Sequence, residues 1–204
     1  PASLTKIMTL YLLFEELEAR RLTMDTRMRV SKTAAGRSPS KLYLQPGQSV
    51  AVRDAIYALI TKSANDVATV VAEHLSGTER DFGKRMTRKA RALGMSRTTF
   101  RNASGLPHSQ QKTTARDMAR LGIAIRRDFP QYFGFFSTKS FRWKGKRFGN
   151  HNKLLSSYQG TDGIKTGYIN ASGFNLLATV ERRGVRLVGA VFGGRTGRTR
   201  DAHM

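Results

Sequence analysis

Three strand-like runs close this chain, Lys165 to Ile169, Gly173 to Glu181 and Val185 to Phe192, and the last two are joined by a tight Arg182-Arg183-Gly184 turn. A connection that short joins antiparallel neighbours, because a parallel pair needs a long crossover. Before Pro130 the apolar residues recur at helical spacing instead. Helices followed by an antiparallel sheet predict an α+β fold.

The helical part begins at once. Ile7, Met8, Leu10, Leu12, Leu13, Phe14 and Leu17 put apolar side chains all round a helix, which marks it as a core helix. Met24 to Gln48 carries Gly36, Pro39, Pro46 and Gly47 among polar residues, so it reads as loop with a short hairpin. Val52 to Thr61 and Asn65 to Leu75 return to helical spacing, with Ser63 in the break between them. Thr78 to Leu93 sets Phe82, Met86, Ala90 and Leu93 against a basic outer face, and Gly94 stands where a helix stops. Thr114 to Asp117 resembles a capping box before a further helix. After Pro130, Phe141-Arg142-Trp143 and Arg147-Phe148 flank Lys144-Gly145-Lys146 as a small hairpin.

At 204 residues the chain is long enough for one large domain or two small subdomains. No run of about 18 apolar residues is present, so no segment reads as a membrane-spanning helix. There is no cysteine, and the four histidines, at 74, 108, 151 and 203, are scattered, so neither disulfide, thiolate nor metal chemistry is expected and no cofactor is implied. No secretory signal is seen, which fits a mature or trimmed chain as well as a cytosolic one. The net charge of +22 predicts attraction to anionic polymers, membranes or wall material. Nucleic acid is not expected, because the basic residues spread over Arg80 to Arg101, Lys139 to Lys153 and Arg182 to Arg200 without a recognisable nucleic-acid motif.

Three short stretches carry chemistry: Ser3-Leu4-Thr5-Lys6, Ser63-Ala64-Asn65 and Lys165-Thr166-Gly167. Ser-x-x-Lys alone says little, since Ser38 to Lys41 and Ser109 to Lys112 match it too. The order and wide separation of the three give them weight. A serine hydroxyl attacks only if a base removes its proton. Ser3 and Lys6, three apart, share a helix face, and burial plus the second cation Lys165 would hold Lys6 as the neutral amine a base must be. Ser63 can relay a proton to a leaving nitrogen, and Asn65 can hold both Lys6 and an acyl-side amide. Lys165 supplies positive field, Thr166 a hydroxyl for a terminal carboxylate, and Gly167 room for a peptide backbone along the strand. The Ser3 and Tyr168 backbone N–H groups would form the oxyanion hole.

Longer blocks surround these motifs: Pro1 to Thr9, Lys62 to Asp66, Asn102 to Pro107, Thr114 to Ala119, Asn152 to Leu155 and Asp162 to Tyr168. With them the whole chain resembles the low-molecular-mass penicillin-binding proteins, the serine-type D-alanyl-D-alanine carboxypeptidases. The resemblance implies a transpeptidase-like catalytic domain over residues 1–204, with a helical subdomain at roughly 20–135 and a sheet portion at roughly 140–195 plus the helix over 3–20. It implies an acyl-enzyme on Ser3, peptidoglycan stem peptides as substrate, β-lactams as covalent inhibitors, and a place on the periplasmic or extracellular face of the envelope. It points to Arg200 as a partner of Thr166 for the substrate carboxylate, and His151 is a weaker candidate at the cleft.

Two departures are visible. The family resemblance implies two strands before the Ser-x-x-Lys helix and a closing helix after the last strand, which Pro1 to Met204 does not supply. The sheet is thus expected to lack edge strands, as in a trimmed fragment or a chain completed by a partner in trans. Tyr168 stands where such enzymes often have His. Alternatives are a class A-like β-lactamase, a D-alanyl endopeptidase and a basic module that binds anionic polymers. The lactamase needs a carboxylate to activate water, and between Ser63 and Lys165 the only glutamates are Glu73 and Glu79, neither followed by Leu-Asn.

Overall fold

The structure is a computed structural model that describes every residue from Pro1 to Met204. Ala2–Leu4 forms a 3-10 turn that runs straight into helix α1, Thr5–Glu18. All but two of the α1 side chains are buried, as apolar residues on every face require. Each large apolar side chain buried this way contributes about 1.5–3 kcal/mol before conformational entropy is charged. Around α1 the remaining elements assemble a continuous core of 43 buried residues.

Strand β1, Arg27–Arg29, pairs antiparallel with β2, Ser49–Ala51, and the four-residue helix α2, Lys32–Ala35, lies between them in sequence. Helix α3, Val52–Tyr57, continues as a widened π turn over Ala58–Lys62, then α4 runs over Asn65–Ser76 and α5 over Glu79–Ala92. Gly94, at φ +75°, follows the end of α5 as expected. Helix α6 covers Ala115–Asp128, and the short α7 spans Pro130–Phe133. Thr114 caps α6 by accepting from Asp117 N, but the reciprocal half of the expected capping box is not made. The Asp117 carboxylate instead accepts from Arg97 N and Thr98 Oγ1, tying the preceding loop to the helix.

Strands β3, Ser140–Trp143, and β4, Lys146–Gly149, form the predicted hairpin, and α8, Leu154–Ser157, leads to the main sheet. That sheet has three antiparallel strands in the order β5, Thr161–Ile169, β6, Gly173–Arg182, and β7, Val185–Gly194. Arg182 pairs with Val185, so Arg183 and Gly184 alone make the turn, both at positive φ, as a primed hairpin turn demands. The sheet packs its α6-facing side against the core, while Val185 and Leu187 of β7 are solvent-exposed. A six-residue helix, α9, Gly197–Ala202, follows β7 and lies on β6 and β7. No closing helix is expected from the sequence, yet this short one stands after the last strand.

Candidate active site

The 3-10 turn fixes the central pair. In such a turn residues i and i+3 eclipse, and Ser3 sits in it while Lys6 lies one turn on, in α1. Lys6 Nζ stands 3.3 Å from Ser3 Oγ, 2.7 Å from Asn65 Oδ1 and 2.6 Å from the Ser104 carbonyl oxygen, and the side chain is fully buried. A neutral amine has two N–H donors and one lone pair. The two short contacts are to acceptors only, so they take both donors and leave the lone pair for the Ser3 hydroxyl. Burial, then the nearby Lys165, hold Lys6 well below the ordinary lysine range, against an opposing pull from Glu79 and Asp66.

Those two carboxylates have structural work. Asp66 Oδ1 accepts from Leu42 N and Val67 N, and its Oδ2 from Leu44 N, so it pins the 42–44 loop onto the start of α4. Glu79, the first residue of α5, pairs with Arg37 and accepts from Ala103 N. It thereby holds the loop whose next residue, Ser104, offers its carbonyl to Lys6.

Ser63 adopts left-handed backbone at φ +58°, where the π turn ends, and this re-aims the chain before α4 starts. Its Oγ is buried, lines the cleft and has no hydrogen-bond partner. It bonds neither Lys6 nor Lys165. Asn65 holds Lys6 as expected, but its Nδ2 donates to the Ser38 and Pro39 carbonyls at 2.9 and 3.1 Å. Both amide hydrogens are thus committed within the protein, and only its Oδ1 faces the site chemistry.

On the opposite wall Thr166 and Gly167 of β5 line the cleft, while Lys165 is buried behind them with Nζ 3.1 Å from the Thr166 carbonyl. Burial, then Arg200, lower the Lys165 pKa to about 7. A Cβ on Gly167 would come within 3.0 Å of Ser3 N, and one on Gly105, at φ +87°, would sit 1.8 Å from the Ala2 carbonyl oxygen. The Ala2–Ser3 backbone is therefore gripped between two glycines, which keeps the Ser3 N–H beside β5.

Arg200 of α9 reaches the same cleft, 5 % exposed, with Nε and Nη2 donating to Asp201 Oδ1 at 2.8 and 2.6 Å. Tyr168 leans its ring on Phe174 and donates its hydroxyl to Asn170, placing the side chain at the rim. His151 also lines the cleft. Its ring stands exposed at the cleft edge; partial desolvation, then the field of Lys165, Lys62, Lys153 and Lys6, lower its pKa to about 4, which favours the neutral imidazole. The cleft holds about 740 Å³ and gathers Ser3, Ser63, Asn65, His151, Thr166, Gly167, Tyr168 and Arg200, with Lys6 and Lys165 buried beneath it.

The residue pattern alone misses several contributors. The Ser104 carbonyl carries no side-chain signature, although it lies inside the Asn102 to Pro107 block. Asp201 and Arg198 sit on α9, and Lys153 lies within the Asn152 to Leu155 block with no role assigned to it by the pattern. No group of three metal-ligating side chains comes together anywhere.

A family profile described as D-alanyl-D-alanine carboxypeptidase, peptidase S11, matches residues 1–196. The D-alanyl-D-alanine carboxypeptidase DacC of Escherichia coli K12 is 37% identical over 207 residues, covering 98% of this chain and 52% of its own length. The crystal structure of DacD from Francisella tularensis superposes with a TM-score of 0.97 at 29% identity, over 100% of this chain and 62% of that one. Penicillin-binding protein D2 of Listeria monocytogenes, in its ampicillin-bound form, gives 0.88 at 33% identity, over 99% and 83%. The chain spans about half the length of the curated relatives it matches.

Proposed function

We infer the activity from one premise: the chain belongs to the D-alanyl-D-alanine carboxypeptidase family, peptidase S11. The reaction proposed is removal of the terminal D-alanine from peptidoglycan pentapeptide stems in the cell envelope, through an acyl-enzyme on Ser3. The observation that carries it is the fully buried Lys6 amine 3.3 Å from the Ser3 hydroxyl, its pKa lowered by burial and by Lys165.

In this reading Ser3 Oγ attacks the carbonyl carbon of the penultimate D-alanine and its proton passes to Lys6 Nζ. The oxyanion accepts from the Ser3 and Tyr168 backbone N–H groups. The peptide C–N bond breaks, and the leaving amine takes a proton through Ser63, whose unpartnered hydroxyl is free to relay it. Thr166 and Arg200, backed by Lys165, hold the departing carboxylate. Water then cleaves the Ser3 ester with Lys6 as base. A β-lactam follows the first half, as the ampicillin-bound form of the Listeria relative suggests.

The β-lactamase reading is weaker. The one carboxylate lining the cleft, Asp201, is bound to Arg200, and Glu79 is held by Arg37 and Ala103. None is left to activate water at an acyl-enzyme, so the penicilloyl adduct should persist. The test is mass spectrometry of the protein treated with penicillin, alongside D-alanine release from a D-Ala-D-Ala peptide. The expected result is a stable adduct on the peptide bearing Ser3, with release abolished in Ser3→Ala. An adduct elsewhere, or fast turnover of a chromogenic cephalosporin, would overturn the assignment.

A further inference from the structure

From Phe129 to Thr161 the chain has no Asp or Glu, yet it carries Lys139, Arg142, Lys144, Lys146, Arg147 and Lys153. None of the six enters an ion pair. The β3–β4 register sets Arg142 directly opposite Arg147, an arrangement that repels within a hairpin. Their polar contacts go to neutral groups: Arg147 Nε donates to Ser140 Oγ, and Lys144 Nζ to Gln48 Oε1. The hairpin rests on the Ala58–Lys62 turn, and Lys62 brings a further cation over the Phe148 ring at 5.2 Å. The same turn leads to Ser63, and Lys153 lines the catalytic cleft, so this uncompensated positive ribbon adjoins the rim of the site.

We propose that the β3–β4 hairpin, with Lys62 and Lys153, is a docking surface for a polyol-phosphate wall polymer that holds the protein along the wall while the cleft works on peptides. The binding surface goes beyond the activity proposed above, and only the choice of a wall polymer over other polyanions rests on that reading. A single small anion fits poorly, because it wants converging enclosed donors and these cations are spread along an exposed ribbon. A polymer with repeating charges neutralises each in turn and gains by releasing its own counterions. A membrane fits less well: the exposed tip, Lys144 to Arg147, offers no apolar side chain to insert. Stacking of bases is disfavoured as well, since cations already stand over the Trp143 and Phe148 rings.

The experiment measures binding of poly(glycerol phosphate) to the full chain as salt is varied. It compares the parent, a Lys144→Gln, Lys146→Gln, Arg147→Gln variant, and a control Arg80→Gln, Arg88→Gln, Arg116→Gln variant that removes equal charge from α5 and α6. The hairpin variant is expected to lose about tenfold in affinity or more at low salt and to lower the log–log salt slope by about 3, the control far less. A Lys144→Arg, Lys146→Arg variant is expected to bind like the parent, which separates charge from folding. Equal losses in the two neutralised variants would mean that total charge, not this surface, attracts the polymer, and would overturn the proposal. So would unchanged polymer binding with loss of binding to phosphatidylglycerol vesicles, which would make the hairpin a membrane contact. A parent that binds polymer through the hairpin but releases no D-alanine sinks the proposed activity and leaves the docking surface standing.

Discussion

The proposed mechanism sets two lysines to opposite tasks through their surroundings. Lys6 is buried with two acceptors and a hydroxyl, so its neutral form is useful; Lys165 must stay protonated to favour a carboxylate. Lys6→Arg keeps the charge and forbids its loss, because a guanidinium does not deprotonate in proteins. Acylation of Ser3 by penicillin is expected to fall about 10³-fold, read by stopped-flow quenching, while a fall of only a few-fold would remove Lys6 as the base. Lys165 gives the alkaline limit. Its pKa of about 7 is held down by burial and by Arg200, so kcat/KM should decline as pH rises through that value in the free enzyme. In Arg200→Gln one depressing charge is gone, so the alkaline limb should move to higher pH even though carboxylate binding weakens. An unmoved or lowered limb would show that Lys165 does not control it.

The cleft is assembled by elements that meet at a few shared residues, and Glu79 is one of them. It joins Arg37, before α4, to the N-terminus of α5 and to the loop at Ala103. Glu79→Gln should cost about 2–3 kcal/mol in urea unfolding, since it leaves a partly buried Arg37 with Thr69 but without its ion-pair partner. It should also slow Ser3 acylation, by loosening the Ser104 carbonyl from Lys6. Gly105→Ala should be worse on both counts, because a Cβ there meets the Ala2 carbonyl at 1.8 Å and forces left-handed backbone on a side chain. The legible part of this site lay in side chains at fixed spacing. Ser3 and Lys6 are three apart, Lys165 to Gly167 open toward one strand wall, and the break after Thr61 announces Ser63. Contacts made by backbone carried no such mark. The Ser104 carbonyl and the Ser38 and Pro39 carbonyls that saturate Asn65 depend on how loops fold back, which local pattern does not encode. The β1–β2 pair and α9 were blurred for a related reason: runs of three to six residues are too short to display a period.

For the molecule as a whole, 36 basic residues face 14 acidic ones, and most of the basic side chains have no acidic partner. Self-repulsion of that size disfavours the compact state, and mobile ions screen it beyond about 10 Å at 0.1 M salt. Raising salt from about 0.01 M to 0.1 M should therefore raise Tm, by about 2–4 °C for each kcal/mol of repulsion removed. The buried lysines add a pH term of definite sign. In the unfolded chain Lys165 keeps its proton up to the ordinary lysine value of 10.5, whereas in the folded protein it gives it up near 7. Between those values the unfolded state binds more protons, so stability must rise with pH, by at most about 1.4 kcal/mol per pH unit for one proton. Lys6, also depressed, adds slope of the same sign. Tyr11 works the other way: burial and the Asp128 hydrogen bond raise its pKa, so stability it supplies is lost only above the ordinary tyrosine value of 10.0. Guanidinium unfolding between pH 7 and 9 thus reads the lysines together with the Pro1 amine, whose pKa burial also lowers, with the high denaturant salt damping surface repulsion. The parent should gain stability across that window, and Lys165→Met, which carries no proton in either state, should show a shallower slope. Equal slopes in the two proteins would mean that Lys165 titrates alike folded and unfolded, and that the site does not depress it.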